Sequence, residues 1–403
     1  MLLSIFGSKL IAMEWKHPDT ITGGAATDGR YLRRETINDQ FWREVRKGNH
    51  ILLVAPRRVG KTSMMKDLVA NCPEGFTAIY EDIEGVRTRN DFYKRLFELI
   101  LLCARLSKLK EAAAFIHRCM QKYSIKEISK EGIIFDARTI DYEKEFRGLI
   151  PELRHTKLHT VIFLDEFAEV IHQLKISGCR EDAVNILHTL REIRQNGGFE
   201  HFTVVYAGSV GLEFVIRSIG RPKLINDLHA IQLNALSEDE ASRLVRQLTK
   251  DTTIHFSGEA LAYLKRKVNH LLPYYLQLMV EAIGKIAFEY RDPAVTPAMI
   301  DNAFERVLRE KKNFEDWLER LKDYQPDHFP FINEILKYAA HKNRITVPAI
   351  YEMALEYGRA DDYMDFVDEL LHDGYLIESE RHVYQFISPL LQQFWLTKYP
   401  AYA

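Results

Sequence analysis

The chain has 403 residues, 46% of them apolar and 28% charged, with a formal net charge of −2. That length accommodates two or three domains, and the near-neutral balance excludes a protein that coats nucleic acid through a global basic field. Scattered cysteines (Cys72, Cys103, Cys119, Cys179), no run near the ~18 apolar residues of a membrane span, and no basic n-region or cleavage site in MLLSIFGSKLIAM leave a reducing, cytoplasmic setting without membrane contact as the expectation.

The first element with chemistry in it is Ile51–Val69, ILLVAPRRVGKTSMMKDLV. A short apolar strand, a turn ending in Gly60-Lys61-Thr62 and a helical run follow without a gap, the context a phosphate-cradling P-loop requires. Loop amides and the positive end of the helix converge on one spot suited to phosphate oxygens. Lys61 is expected to reach the β- and γ-phosphates and Thr62 to ligate Mg²⁺. Ala55, Pro56, Arg57, Arg58, Val59, Gly60 and Ser63 complete the cradle. Ala55 stands where G-x-x-x-x-G-K-[ST] has its first glycine, so its backbone should avoid positive φ, whereas Gly60 is free to adopt it.

Ile79–Glu84 reads as a second parallel strand, and Thr88–Arg105 as the helix after it. Residues 106–158 form a helix-rich insertion, with a short strand at Ile133-Ile134-Phe135. His159–Phe167, HTVIFLDEF, is an apolar run that ends in two acids, the pattern of a buried parallel strand with its carboxyl end at a ligand. There Asp165 is expected to hold Mg²⁺ and Glu166 to polarise the attacking water as general base. The helix Glu181–Asn196 should cover the sheet with Ala183, Ile186, Leu187, Leu190 and Ile193, leaving Arg191 and Arg194 as solvated charge. A third strand, Phe202–Ala207, ends in Gly208-Ser209, where Ser209 can sense the γ-phosphate. Arg217 and Arg221 follow where an arginine finger could act in trans.

Beyond the sheet, Ser237-Glu238-Asp239-Glu240 is a capping box that opens a helical unit, and Thr296-Pro297 is a second helix start within it. The C-terminal part reads helix, helix, helix and then two short strands, the order of a winged helix. Gly358 and Gly374 fit helix C′ positions, and Tyr375–Ile377 should pair with Val383–Ile387. From Phe331 onward there are six Lys/Arg against eleven Asp/Glu. The helix that would enter a groove carries Asp361, Asp362, Asp365, Asp368, Glu369 and Asp373. Such a face repels phosphate, so a protein partner is expected ahead of DNA.

Taken in order, these segments resemble the AAA+-related STAND NTPases, in particular archaeal-type ATPases and bacterial AAA-like ATP-binding proteins. APRRVGKTS is similar to their G/A-P-R-x-x-G-K-[ST]-S loop. Tyr31-Leu32-Arg33-Arg34-Glu35 resembles an aromatic-aliphatic-Gly-Arg-Glu motif beside the adenine, with Arg33 at the Gly position and Arg34 as the matching arginine. Ala207–Glu213 looks like a T/A-G-S-x-G-L-E segment. Leu272-Pro273-Tyr274-Tyr275-Leu276-Gln277 is similar to a G-x-P-Y-Y-L-Q lid element, in which the proline-bearing turn closes over the nucleotide.

The resemblance implies an α/β fold, a P-loop parallel sheet with covering helices (AAA+/STAND-like). The core spans residues 1–235, a helical lid 236–312 and a winged helix 313–403. It implies a slow ATPase that uses ATP and Mg²⁺ and acts as a nucleotide-dependent switch, with a protein partner and nucleotide-dependent self-assembly as the modes of output. Two competing readings stay open. One is a DNA-binding loader similar to the origin-recognition ATPases, although their lid Gly-Asp-x-Arg element is replaced here by Leu-Leu-Pro-Tyr-Tyr. The other is a module that holds nucleotide without turning it over.

Overall fold

The computed structural model describes residues 15–401 apart from 108, 130–131, 136–139, 198, 209–210, 311 and 325. Five parallel strands, β1 (Ile51–Val54), β2 (Phe76–Asp82), β3 (His159–Asp165), β4 (Phe202–Tyr206) and β5 (His229–Gln232), form the central sheet in the order β2-β3-β4-β1-β5. Successive side chains along a strand point to opposite faces, and each face here has its own core. Ile51, Leu53, Val161, Phe163 and Val205 belong to one core, while Leu52, Ile162, Leu164, Val204 and Tyr206 belong to the other. Burial on both faces is why β3 and β4 are apolar almost throughout.

β5 was not evident from the sequence. Only Ile231 of its four residues is buried, and it is an edge strand held by β1 alone. The insertion also gains an element. Besides helices Lys110–Tyr123 and Tyr142–Glu152 it carries an antiparallel hairpin, in which strand Gly132–Phe135, which contains the expected Ile133-Ile134-Phe135, pairs with Ile125–Ser129.

The two cores differ in reach. The one on the P-loop face continues without a break through the helices after the sheet and into the C-terminal module, where Trp317, Tyr375 and Trp395 are fully buried. Ser237 and Glu240 form a complete reciprocal capping box at helix Glu238–Leu248, and Thr296 caps helix Pro297–Arg309 with Pro297 in its first turn. The C-terminal module has the winged-helix order. Helices Phe329–Lys342, Val347–Glu356 and Tyr363–His372 precede antiparallel strands Leu376–Glu380 and Val383–Phe386, with Ile345–Thr346 as a third strand. Gly358 and Gly374 end the second and third helices at φ 66° and 82°. Among the described residues no helix is long and apolar enough to cross a membrane.

Candidate functional site

The P-loop follows β1 and ends at α1 (Lys61–Ala70). Positive φ falls at Arg58 (68°) and Gly60 (98°) and not at Ala55, whose Cβ disfavours it. A Cβ at Gly60 would meet nothing within 4 Å, so it is backbone conformation and not crowding that calls for glycine there. No side chain caps α1, which leaves its first amides directed at the loop. Lys61 is buried and its Nζ donates to the Ala55 carbonyl at 3.0 Å, so the ammonium lies within the curl of the loop. Burial pulls Lys61 below the usual lysine range, and the Glu166 and Asp165 carboxylates oppose that shift.

β4 lies between β1 and β3, so the loop and the acid pair face each other across one strand end. Thr62 Oγ1 donates to Asp165 Oδ2 at 2.8 Å, and Tyr80 Oη, from the end of β2, donates to the same oxygen at 3.0 Å. Asp165 is buried. Its carboxyl is pushed up, first by burial and then by Glu166, while the Thr62 and Tyr80 hydrogen bonds hold it down. Glu166 takes φ 56° at the start of helix Phe167–Ile176, an uncommon conformation for a residue with a side chain. The donors at this corner, Thr62, Asp165 and Glu166, are all oxygens. That set fits Mg²⁺, which binds through one or two carboxylates together with substrate phosphates and water. Among the described residues no cluster of three or more His, Cys, Asp or Glu could hold a metal by itself.

Lys61, Thr62, Asp165 and Glu166 share a cavity of about 290 Å³ with Pro56, Arg57, Arg58, Val59, Gly60 and Ser63. Its far wall comes from the lead-in segment, including Gly24, Ala25, Ala26 and Tyr31, and from Pro273 and Tyr274 at the start of α2 (Pro273–Tyr290). Gln277 joins the two. Its buried amide accepts from the Ile21 amide at 2.8 Å and donates to the Arg30 carbonyl at 3.3 Å. Arg34 also lines this wall, bonding Glu240 of the capping box at 3.2 Å and the Asn234 carbonyl at 2.6 Å. The sequence reading missed Tyr80. Its one signal was a position at the carboxyl end of a parallel strand, where such sheets bind ligands.

A second neighbour of the P-loop was also unforeseen. Arg57 N donates to the Asp373 carbonyl at 3.4 Å, so the turn after α4 (Tyr363–His372) rests on the loop itself. Asp316 of α3 (Lys312–Tyr324) pairs with both Arg57 and Arg58, and the Arg58 guanidinium lies 4.3 Å from the Tyr274 ring centroid. Arg217 is exposed and meets Asp365 of α4 at 3.3 Å, while Arg221 is exposed at the start of the turn Pro222–Leu224. Ser209 lies outside the described residues.

The expectation of solvated charge fails at Arg194. Its side chain is 3% exposed and pairs with Asp227 at 2.8 Å while bonding the Leu224 carbonyl at 2.6 Å. Arg191 bonds the Lys223 carbonyl. Both anchor the connection between β4 and β5, which a helical-wheel argument could not foresee.

No protein-family model matches the chain, and no curated protein matches it in sequence. Solved structures do match it in fold. A Walker-type ATPase of Pyrococcus abyssi superposes with a TM-score of 0.61 at 16% identity, over 91% of this chain and 96% of that one. The ORC2 protein of Aeropyrum pernix, solved in ADPNP–ADP complexes, gives 0.51 at 14% identity over 96% and 98%. The chain therefore has the α/β fold of Walker-type P-loop ATPases with a C-terminal winged helix, at identities that establish the fold alone.

Proposed function

We propose that this protein is a Mg²⁺-dependent ATPase of the AAA+/STAND kind, working as a nucleotide-controlled switch. The observation that carries the reading is the Thr62–Asp165 hydrogen bond at 2.8 Å, beside Lys61 and Glu166 in one cavity. Lys61 and the loop amides take the phosphates. Thr62 and Asp165 hold the metal ion, which when bound neutralises charge that develops on the phosphate oxygens. Glu166 accepts the proton of the attacking water, and Ser209 keeps the role of γ-phosphate sensor expected from the sequence. Arg34 and Pro273 close the base side of the cavity.

In this reading the core is 1–235, the lid 236–312 and the winged helix 313–403. The lid lines the cavity through Pro273 and the winged helix touches its P-loop wall through the Arg57–Asp373 contact, which supports coupling of nucleotide state to their position. The acid-rich α4, two of whose acids already meet Arg217, supports a protein partner. A DNA-binding loader is the second reading, favoured by the fold shared with the Aeropyrum ORC2 protein. Arg217 or Arg221 serving a neighbouring copy would require self-assembly.

ATP turnover by the wild type and Glu166→Gln, with solution mass in ADP and in ATP, tests the proposal. Turnover lost in the variant while ATP still binds supports it, and equal turnover in both proteins sinks it. Steeply salt-dependent DNA binding would move the second reading ahead.

A further inference from the structure

Arg57 and Arg58 line the cavity beside Lys61, yet both guanidinia are turned to a carboxylate outside the P-loop. Arg58 Nη2 lies 2.6 Å and Arg57 Nη2 3.2 Å from the same oxygen, Asp316 Oδ2. The arrangement is incomplete. Among the described residues, the buried atoms Asp316 Oδ1, Arg57 Nη1 and Arg58 Nε have no hydrogen-bond partner. Two cations thus share one oxygen of one anion. Arg320, one turn further along α3, brings a third guanidinium whose charge acts on both Arg57 and Lys61.

A carboxylate is a poor match for this set of donors. It offers one negative charge and two oxygens, whereas a terminal phosphate offers close to two charges and three strong acceptor oxygens. Planar guanidinium forks pair well with either group, so the two compete on charge and oxygen count. The arginines also belong to the loop that cradles phosphate, so the competitor need not be brought from elsewhere.

Resting on the reading of the cavity as a nucleoside triphosphate site, we propose that Asp316 is a specificity-determining residue that competes with the terminal phosphate for Arg57 and Arg58. A triphosphate takes the two guanidinia from Asp316, and a diphosphate leaves them in place. No covalent bond changes. The discrimination between the two nucleotides is therefore built partly on α3 and not only on the P-loop.

The test is equilibrium binding of ADP and of a non-hydrolysable ATP analogue to the full chain, as wild type, Asp316→Asn and Asp316→Glu. Removing the charge but keeping the shape should tighten the analogue by about tenfold and leave ADP within about twofold. Asp316→Glu, which keeps the charge, should restore the wild-type ratio. An Asp316→Asn protein that binds the analogue more weakly, or shifts both nucleotides equally, overturns the inference while the nucleotide reading stands. A wild type that binds neither nucleotide overturns both. Asp316 is over a third exposed on its side chain, so the neutral variant is expected to fold.

Discussion

Gly374 lies so close to Pro56 that a Cβ built on it would stand 2.9 Å from the proline Cβ. The winged-helix module therefore meets the phosphate loop at a point where it has no room for a side chain of its own. Gly358 is a useful control. It has a similar positive φ but open space around it. Gly358→Ala should cost about 1 kcal/mol for backbone conformation alone. Gly374→Ala should cost about 1–3 kcal/mol more, because Pro56 must also give way. Equal losses in urea unfolding would show that the contact with the loop contributes nothing.

The parts of the site that depend on one continuous stretch of chain were legible. The strand, loop and helix around Lys61 follow one another in sequence, and the acids Asp165 and Glu166 close an apolar run. What stayed hidden depends on chain segments far apart. Asp316 is an ordinary acid on an amphipathic helix until folding brings it to Arg58, 258 residues away. Tyr80 looks like any strand tyrosine until its hydroxyl meets Asp165. β5 was missed because an edge strand buries too little to show an apolar run. Arg194 was misread because periodicity assigns a face but not the Asp227 that waits there.

Two substitutions should separate catalysis from binding in the proposed ATPase. Glu166→Gln should lower turnover by about 100-fold or more while ATP still binds, the range lost with a general base. Asp165→Asn should instead weaken Mg²⁺-dependent ATP binding by about 1.5–3 kcal/mol, since a charged partner of Thr62 and Tyr80 is removed. Calorimetry with and without Mg²⁺ decides. A loss in Asp165→Asn of equal size in both conditions would remove that residue from the metal site.

In the proposed nucleotide site, Gln277 should act on the base side only. Replacing it by Leu deletes the bonds to Ile21 and Arg30 that fix the lead-in wall of the cavity. ATP binding should weaken by about tenfold, equivalent to two modest hydrogen bonds. Tripolyphosphate, which lacks a base, should bind as to the wild type. Equal weakening of both ligands would mean that Gln277 serves the general stability of the lid.

His50 gives a pH signature. It is buried with Nδ1 accepting from the Val204 amide at 3.0 Å, and burial drives its pKa down to about 3 from an ordinary 6.5. Between those values the unfolded chain binds a proton that the folded chain does not, so stability falls as pH falls below about 6.5. The slope from this residue is about 1.4 kcal/mol per pH unit. Unfolding at pH 7 and pH 5 should differ less in His50→Asn than in the wild type. An unchanged difference would assign the acid sensitivity to other groups.

The lead-in wall has a consequence for how the protein is made. Ile21 bonds a residue 256 positions later, Arg30 one 247 later, and Gly29 one 218 later. At ribosomal speeds of about 5–20 residues per second, these partners leave the ribosome roughly 10–50 s after the segment they hold. The P-loop and its acid strand can assemble well before that. During synthesis the cavity thus has a floor before it has a wall, and the nascent core presents its P-loop with that side of the cavity open until α2 emerges.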